Sequence, residues 1–245
     1  MQQNNAIILS TRSLTDELIS EAAVKGVFIE VIPFIKTQPI RAVEVQKEIE
    51  NAFLQSTAVV FTSSNAVEAV ASELEGHQPD WQIFCTGYAT RQLIEEYFGK
   101  DLISGIADNA AELANFINKN DVDKVIFFCG DQRRDELPDL LRKNNIDVNE
   151  IIVYQTVATS SEVKKKYDGI LFFSPSGVKS FFQKNQLDDQ TVLFAIGSTT
   201  ADEIKKNLPD SKAGTKNKIL TSDEPGTKHL VEKAIKFFET NPIHH

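Results

Sequence analysis

Hydroxyl and amide side chains recur in this chain directly after short apolar runs, where a strand would hand over to a helix. Val59-Val60-Phe61 leads into Thr62-Ser63-Ser64-Asn65, and Ile170-Leu171-Phe172-Phe173 leads into Ser174-Pro175-Ser176-Gly177. In the same way Ile83-Phe84-Cys85 leads into Thr86-Gly87-Tyr88-Ala89-Thr90, and Leu193-Phe194-Ala195-Ile196 into Gly197-Ser198-Thr199-Thr200. Each of these side chains has an ordinary use as a helix cap. Ser174 before Pro175 fits an N-cap followed by proline at the first helical position, while Asn65 with Glu68 and Thr200 with Glu203 have capping-box spacing. The same turns also present free backbone N–H groups and partial positive charge, which suit carboxylates or phosphates. Four such turns in two related pairs favour anion binding over capping alone, and Gly87 and Gly197 would let a ligand approach the backbone closely.

Three arginines, Arg12, Arg133 and Arg134, stand just after apolar runs, where guanidinium forks grip carboxylates. Tyr154 interrupts an Ile/Val run, a place for a packed ring with a wet hydroxyl. Other chemistry is missing from the sequence. There is no G-x-G-x-x-G, no Walker A sequence and no G-x-S-x-G elbow, and His77, His229, His244 and His245 do not stand at metal-ligand spacing. Cys85 and Cys129 each sit inside an apolar run, where cysteine behaves as a small buried hydrophobe. Lys164-Lys165-Lys166 reads as a solvated charge run.

The elements that must hold these residues alternate along the chain. Apolar runs near 6–9, 27–34, 58–62, 82–86, 101–103, 124–129, 150–157, 169–173, 191–196 and 218–221 read as strands, several without in-out alternation, as strands covered on both faces should be. Helical spacing is predicted over 15–24, 65–74, 90–98, 110–117, 135–141, 177–183, 201–208 and 227–238. This is a doubly wound α/β pattern with a mostly parallel sheet. The paired turns described above, together with Ile8-Leu9-Ser10-Thr11-Arg12 against Ile126-Phe127-Phe128-Cys129-Gly130, make two related α/β units with a ligand held between them. The repeat itself divides the chain near residue 120. The extended segments 32–40 and 151–157 close corresponding parts of the repeat; laid side by side as crossovers, they make the first unit discontinuous.

The chain of 245 residues is 41% hydrophobic and 25% charged, ordinary for a globular protein with one large or two modest domains. A net charge of −9, nearly all of it in residues 1–120, argues against nucleic acid or an anionic membrane as partner and leaves a small anionic ligand open. The N-terminus lacks the basic segment and apolar core of a signal peptide, and no apolar run is long enough to span a bilayer, so a cytoplasmic location is expected.

Taken in order and spacing, these segments resemble the uroporphyrinogen-III synthase family across nearly the whole chain. The stretches that carry the resemblance are Ser10-Thr11-Arg12, Phe61 to Val67, Gly87 to Thr90, Gly130 to Leu137, Val153-Tyr154-Gln155-Thr156, Phe173 to Val178 and Ile196 to Ala201. The resemblance implies two flavodoxin-like domains joined by a two-stranded connector. Residues 1–35 and 157–245 would form one domain, 41–150 the other, and 36–40 with 151–156 the connector. It implies a cleft enzyme that closes the linear tetrapyrrole hydroxymethylbilane, with loss of water and inversion of the last ring, without cofactor or metal. A pyrrole nitrogen expels the hydroxymethyl oxygen with modest acid help, so the task is positioning the chain ends rather than forceful chemistry.

By the same resemblance Tyr154 assists departure of the hydroxyl, since a phenol stays protonated at neutral pH and can donate. Arg12, Thr62, Ser63, Asn65, Gly87, Thr90, Arg134, Ser174, Ser176, Gly197 and Thr199 would anchor the substrate carboxylates. Two departures stand out: Ser13 where the family often has proline, and Cys129 where an arginine is frequent, which makes Arg133 or Arg134 the substitute, Arg134 aligning better. The implied partner is hydroxymethylbilane, bound by a monomer, with the upstream hydroxymethylbilane synthase as a transient contact and neither nucleic acid nor membrane involved. Competing readings are a non-catalytic two-domain sensor for a small anion, a glycosyltransferase, which would need a nucleotide-diphosphate site, and a flavin protein, which would be yellow.

Overall fold

In chain order the computed structural model gives β1 (Ala6–Ser10), α1 (Asp16–Val24), β2 (Val27–Val31), β3 (Ile35–Pro39), α2 (Val43–Phe53), β4 (Thr57–Phe61), α3 (Ser64–Leu74), β5 (Trp81–Thr86), α4 (Tyr88–Tyr97) and β6 (Ile103–Ala107). There follow α5 (Ala110–Asn118), β7 (Lys124–Gly130), α6 (Glu136–Lys143), β8 (Asp147–Ala158), β9 (Gly169–Phe172), α7 (Pro175–Phe182), β10 (Val192–Ala195), α8 (Ser198–Asn207), β11 (Ile219–Thr221) and α9 (Thr227–Thr240). The structure describes residues 5–208, 217–224 and 226–241, so His244 and His245 lie outside the described residues. Among these residues no helix is long and apolar enough to cross a membrane.

Two compact units emerge. Thr37–Val157 forms a continuous unit, and the segments Met1–Lys36 and Ala158–His245 together form a discontinuous one. The discontinuous unit holds the sheet β11-β10-β9-β1-β2, and the continuous unit holds β3-β8-β7-β4-β5-β6. β1, β2, β9, β10 and β11 pair in parallel, as do β4 to β8 among themselves. Helices cover both faces, so the central strands are apolar throughout. β4 shows the consequence: Val59 and Phe61 pack into one layer with Val67, Val70 and Phe128, while Val60 packs into the opposite layer with Phe84, Leu113 and Phe127. In the other unit Leu9, Phe172 and Phe181 face one layer, and Ile8, Leu171 and Phe194 the other.

The two sheets have the same arrangement. Read from one edge, β6-β5-β4-β7-β8 and β11-β10-β9-β1-β2 place the sequence-matched pairs β4 and β9, β5 and β10, and β7 and β1 at equivalent positions. Numbered along its own chain, the discontinuous unit reads 2-1-3-4-5, the flavodoxin order. The continuous unit reads 3-2-1-4-5, a circular permutation of the same order, with β3 added beside β8. The sequence repeat and the compact units therefore do not coincide: each unit takes two strands from one half of the repeat and three from the other.

Helix α2 escaped the sequence reading. It has no side-chain cap at Ala42, so nothing announces its start, yet Val45, Ile49, Ala52 and Phe53 place one apolar face on the core. Trp81 fixes its end by donating from Nε1 to the Ala52 carbonyl at 2.9 Å. The capping boxes expected at Asn65 and Thr200 do not form either. Both residues lie inside the first turn, because α3 and α8 start one to two residues earlier, after Ser63 and Gly197.

Candidate active site

In a doubly wound sheet a crevice opens at the carboxyl ends of the strands where the winding reverses. In the continuous unit this point lies between β4 and β7, and a cavity of about 400 Å³ is found there. Thr62 and Ser63 from the turn after β4 line it, with Thr86 at the end of β5 and Asp108 and Asn109 after β6. Gly130, Arg133, Arg134 and Glu136 close the side beyond β7, and Tyr154 of β8 completes it.

A β-bulge places the tyrosine. Cys129 pairs with Ile152 and Gly130 with Tyr154, so one residue on β8, Val153, is extra, and such a bulge re-aims the side chain that follows it. The ring then lies across Gly130, where an added Cβ would stand 2.4 Å from Tyr154 Cζ; only glycine leaves room. Ser63 donates from Oγ to Tyr154 Oη at 3.0 Å. Asp131 locks the turn to β8, its N–H donating to the Tyr154 carbonyl at 3.1 Å and its carboxylate accepting from Thr156 N–H at 2.9 Å.

The adjacent arginines have different fates. Arg133 is held by Glu150 and Asp135, and Arg142 donates to the same Glu150 at 2.6 Å. Arg134 has no ion-pair or hydrogen-bond partner among the described residues and borders the cavity. Asp108 and Glu136 border it too, so the local field is mixed rather than uniformly positive. Cys129 is buried against the same wall; its desolvation, with the charge of Glu150 adding and that of Arg133 opposing, pushes the thiol up to about 11. Burial raises Cys85 to about 11 as well, and both cysteines are free.

Four of the sequence-predicted residues, Thr62, Ser63, Arg134 and Tyr154, thus meet on one cavity. Asn65 lies a turn away, its Oδ1 accepting from Thr37 Oγ1 at 3.0 Å. Gly87 precedes α4 with φ of +84°, a conformation that favours glycine, and Thr90 is buried behind that turn. Neither belongs to the lining, although Thr86 does.

In the discontinuous unit the reversal lies between β1 and β9, and the remaining candidates gather at that end. The Arg12 guanidinium stands 5.4 Å from the centroid of the Phe173 ring, and Ser10 Oγ donates to the Arg12 carbonyl at 2.7 Å to shape the turn. Ser174 spends its oxygen on its own helix, accepting from Gly177 N–H at 3.1 Å, and lies 3.0 Å from Ser176 Oγ. Gly197 and Thr199 open α8 on the next turn; Gly197 has an extended φ of −169°, and an added Cβ there would meet open space. A cavity in this unit opens at the amino ends of its strands, beside Ile7, Asp168 and Val192, away from these turns.

The sequence reading missed Asp108 and Asn109. Their signal was legible: Asn109 caps α5 by accepting from Glu112 N–H, and the Glu112 carboxylate reaches back to accept from Asp108 N–H, one residue before the cap, a variant of the capping box after a strand.

Fold and site together define a two-unit, doubly wound α/β protein with polar, helix-terminal turns at the switch point of each sheet. Residues 16–232 match the family described as Uroporphyrinogen-III synthase HemD, and the chain belongs to that family. Among solved structures, uroporphyrinogen-III synthetase from Helicobacter pylori 26695 is similar with a TM-score of 0.64 at 14% identity, over 95% of this chain and 99% of that one. A mutant uroporphyrinogen III synthase from the extremely thermophilic bacterium Thermus thermophilus gives a TM-score of 0.56 at 12% identity, over 96% of this chain and 99% of that one. At such identities the likeness is one of fold.

Proposed function

We propose that this protein is a uroporphyrinogen-III synthase, a hydro-lyase that closes hydroxymethylbilane with inversion of the last ring. The observation that carries the reading, in a member of this family, is Tyr154 held over Gly130 at the switch-point cavity beside an arginine with no partner among the described residues. Tyr154 would donate its proton to the departing hydroxymethyl oxygen while a pyrrole nitrogen supplies the electrons, so that water leaves and an azafulvenium cation remains beside the phenolate. Attack by the last ring at its substituted carbon then sets up inversion through a spiro intermediate. Arg134 would take a substrate carboxylate in its fork, and the N–H groups opening α3 and α4, which no side chain caps, would take others. Arg12, the Ser174-Ser176 pair, Gly197 and Thr199 are the corresponding anchors proposed for the discontinuous unit. The reaction asks nothing of a cofactor, and the setting proposed is a cytoplasmic monomer supplied by hydroxymethylbilane synthase.

A coupled assay tests this directly. Hydroxymethylbilane is generated in situ, the products are oxidised, and isomers III and I are resolved. Isomer III in excess, at a rate proportional to protein, is the expected result; isomer I alone at the uncatalysed rate would defeat the assignment.

A further inference from the structure

Ser63 and Ser174 occupy matching places in the repeat, each the residue before a helix, yet they use their hydroxyls differently. Ser174 caps α7 by accepting from Gly177 N–H, the ordinary use of serine there. The Ser63 side chain makes no hydrogen bond to α3, and only the residue's carbonyl accepts from the Ala66 and Val67 N–H groups. Its hydroxyl instead donates to Tyr154 Oη, 91 residues away in sequence.

We propose that Ser63 is a positioning residue for Tyr154, an inference that rests on the reading of the chain as a uroporphyrinogen-III synthase. A phenolic O–H prefers the plane of its ring, because the oxygen lone pair conjugates with the π system, and this leaves two orientations of the proton. The Ser63 proton occupies the oxygen from one side, and Gly130 lies against the ring. The phenolic proton is therefore turned to the other side, free for a ligand in the cavity that both residues line.

The arrangement also favours the transition state. As the C–O bond of the hydroxymethyl group breaks, the phenolic proton passes to the leaving oxygen, water departs, and the phenol oxygen becomes anionic. The Ser63 hydrogen bond then has an ionised acceptor and strengthens, which is stabilisation that appears only as charge develops. Attack by the last ring through its substituted carbon gives the spiro intermediate, and the original methylene bond at that carbon then breaks. The freed methylene carbon bonds to the other, unsubstituted α-carbon of the ring, and the proton lost from that carbon on rearomatisation restores the phenol. Atoms and charge balance, with water the sole by-product.

An isosteric pair of variants separates this role from substrate anchoring. Ser63 has φ of −151° and ψ of 135°, an extended conformation that β-branched residues adopt readily, so Ser63→Thr and Ser63→Val should both fold. In the isomer-III assay Ser63→Val should lower kcat about tenfold with KM within about twofold, and Ser63→Thr should stay close to the parent, as expected for one charge-assisted hydrogen bond. In a Tyr154→Phe background the Ser63→Val change should have no further effect. Additive losses in the double variant, or a raised KM with kcat unchanged, would overturn the positioning role while leaving the enzymatic reading intact. A parent protein that makes no isomer III would overturn both.

Discussion

Tyr154 is the residue on which the proposed chemistry turns, and its surroundings allow a clean substitution. Tyr154→Phe removes the phenolic proton while the ring keeps its seat on Gly130. Loss of a general acid costs about 10²-fold or more in rate, moderated here because the pyrrole nitrogen drives much of the departure, so kcat should fall markedly with KM nearly constant. Unchanged turnover in the isomer-III assay would remove the phenol from the mechanism. Arg133 and Arg134 make a second contrast, because neighbours of identical charge are predicted to fail in different ways. Arg134 has no partner to lose among the described residues, so Arg134→Ala should leave the melting temperature near the parent value and raise KM about tenfold, the worth of one charged hydrogen bond. Arg133→Ala leaves Glu150, a largely buried carboxylate, with Arg142 alone, so its main effect should be a lower melting temperature. A KM effect confined to Arg133 would reverse the assignment made for the pair.

Among the elements, the turn joining β7 to α6 and its bulged partner β8 decide where the site lies. Gly130 shows how tightly: a methyl group there collides with the Tyr154 ring, and the ring is wedged between that turn and Ser63. Gly130→Ala should therefore displace the phenol, bringing activity down at least to the Tyr154→Phe level and costing about 1–3 kcal/mol of stability. Retained activity together with unaltered near-ultraviolet dichroism would show that the ring is not confined. The strand-to-helix turns were legible in the sequence because an apolar run followed by Ser, Thr or Gly encodes both elements locally, and Ser63 was found that way. Arg134, an arginine after an apolar run, and Tyr154, the break in an Ile/Val run, were singled out by the family resemblance. The bulge was not, since register between β7 and β8 is set by pairing across the sheet and leaves no mark in either strand alone. Nor was the capture of Arg133 by Glu150, a pairing across 17 residues that only the folded sheet creates. α2 was missed for want of a capping residue, although its apolar face was written at helical spacing.

For the molecule as a whole, the decisive fact is that the repeat and the units are out of phase. Along the chain, β3 aside, each half supplies five matching strands in the same order, β1, β2, β4, β5, β6 and then β7, β8, β9, β10, β11, but the sheets exchange them. β4 pairs with β7 from the second half, and β1 with β9. A polypeptide ending near residue 120 would thus carry β4 without its neighbour β7 and β1 without β9, leaving apolar strand edges bare in both sheets. Residues 37–157, by contrast, contain all of β4 to β7, nearly all of β8 and both covering layers of their own core. In the other unit the two segments meet where the excised portion begins and ends, with Thr159 donating from N–H to the Phe34 carbonyl at 3.0 Å and from Oγ1 to the Pro33 carbonyl at 2.7 Å. A short flexible linker from Lys36 to Ala158 should therefore close that unit at little entropic cost. The expected outcome is that fragment 37–157 and the linked 1–36/158–245 chain each unfold cooperatively on heating, whereas fragments 1–120 and 121–245 are unfolded or aggregate. Cooperative melting of 1–120 alone would mean that the repeat, and not the exchanged arrangement of strands, is the unit that folds.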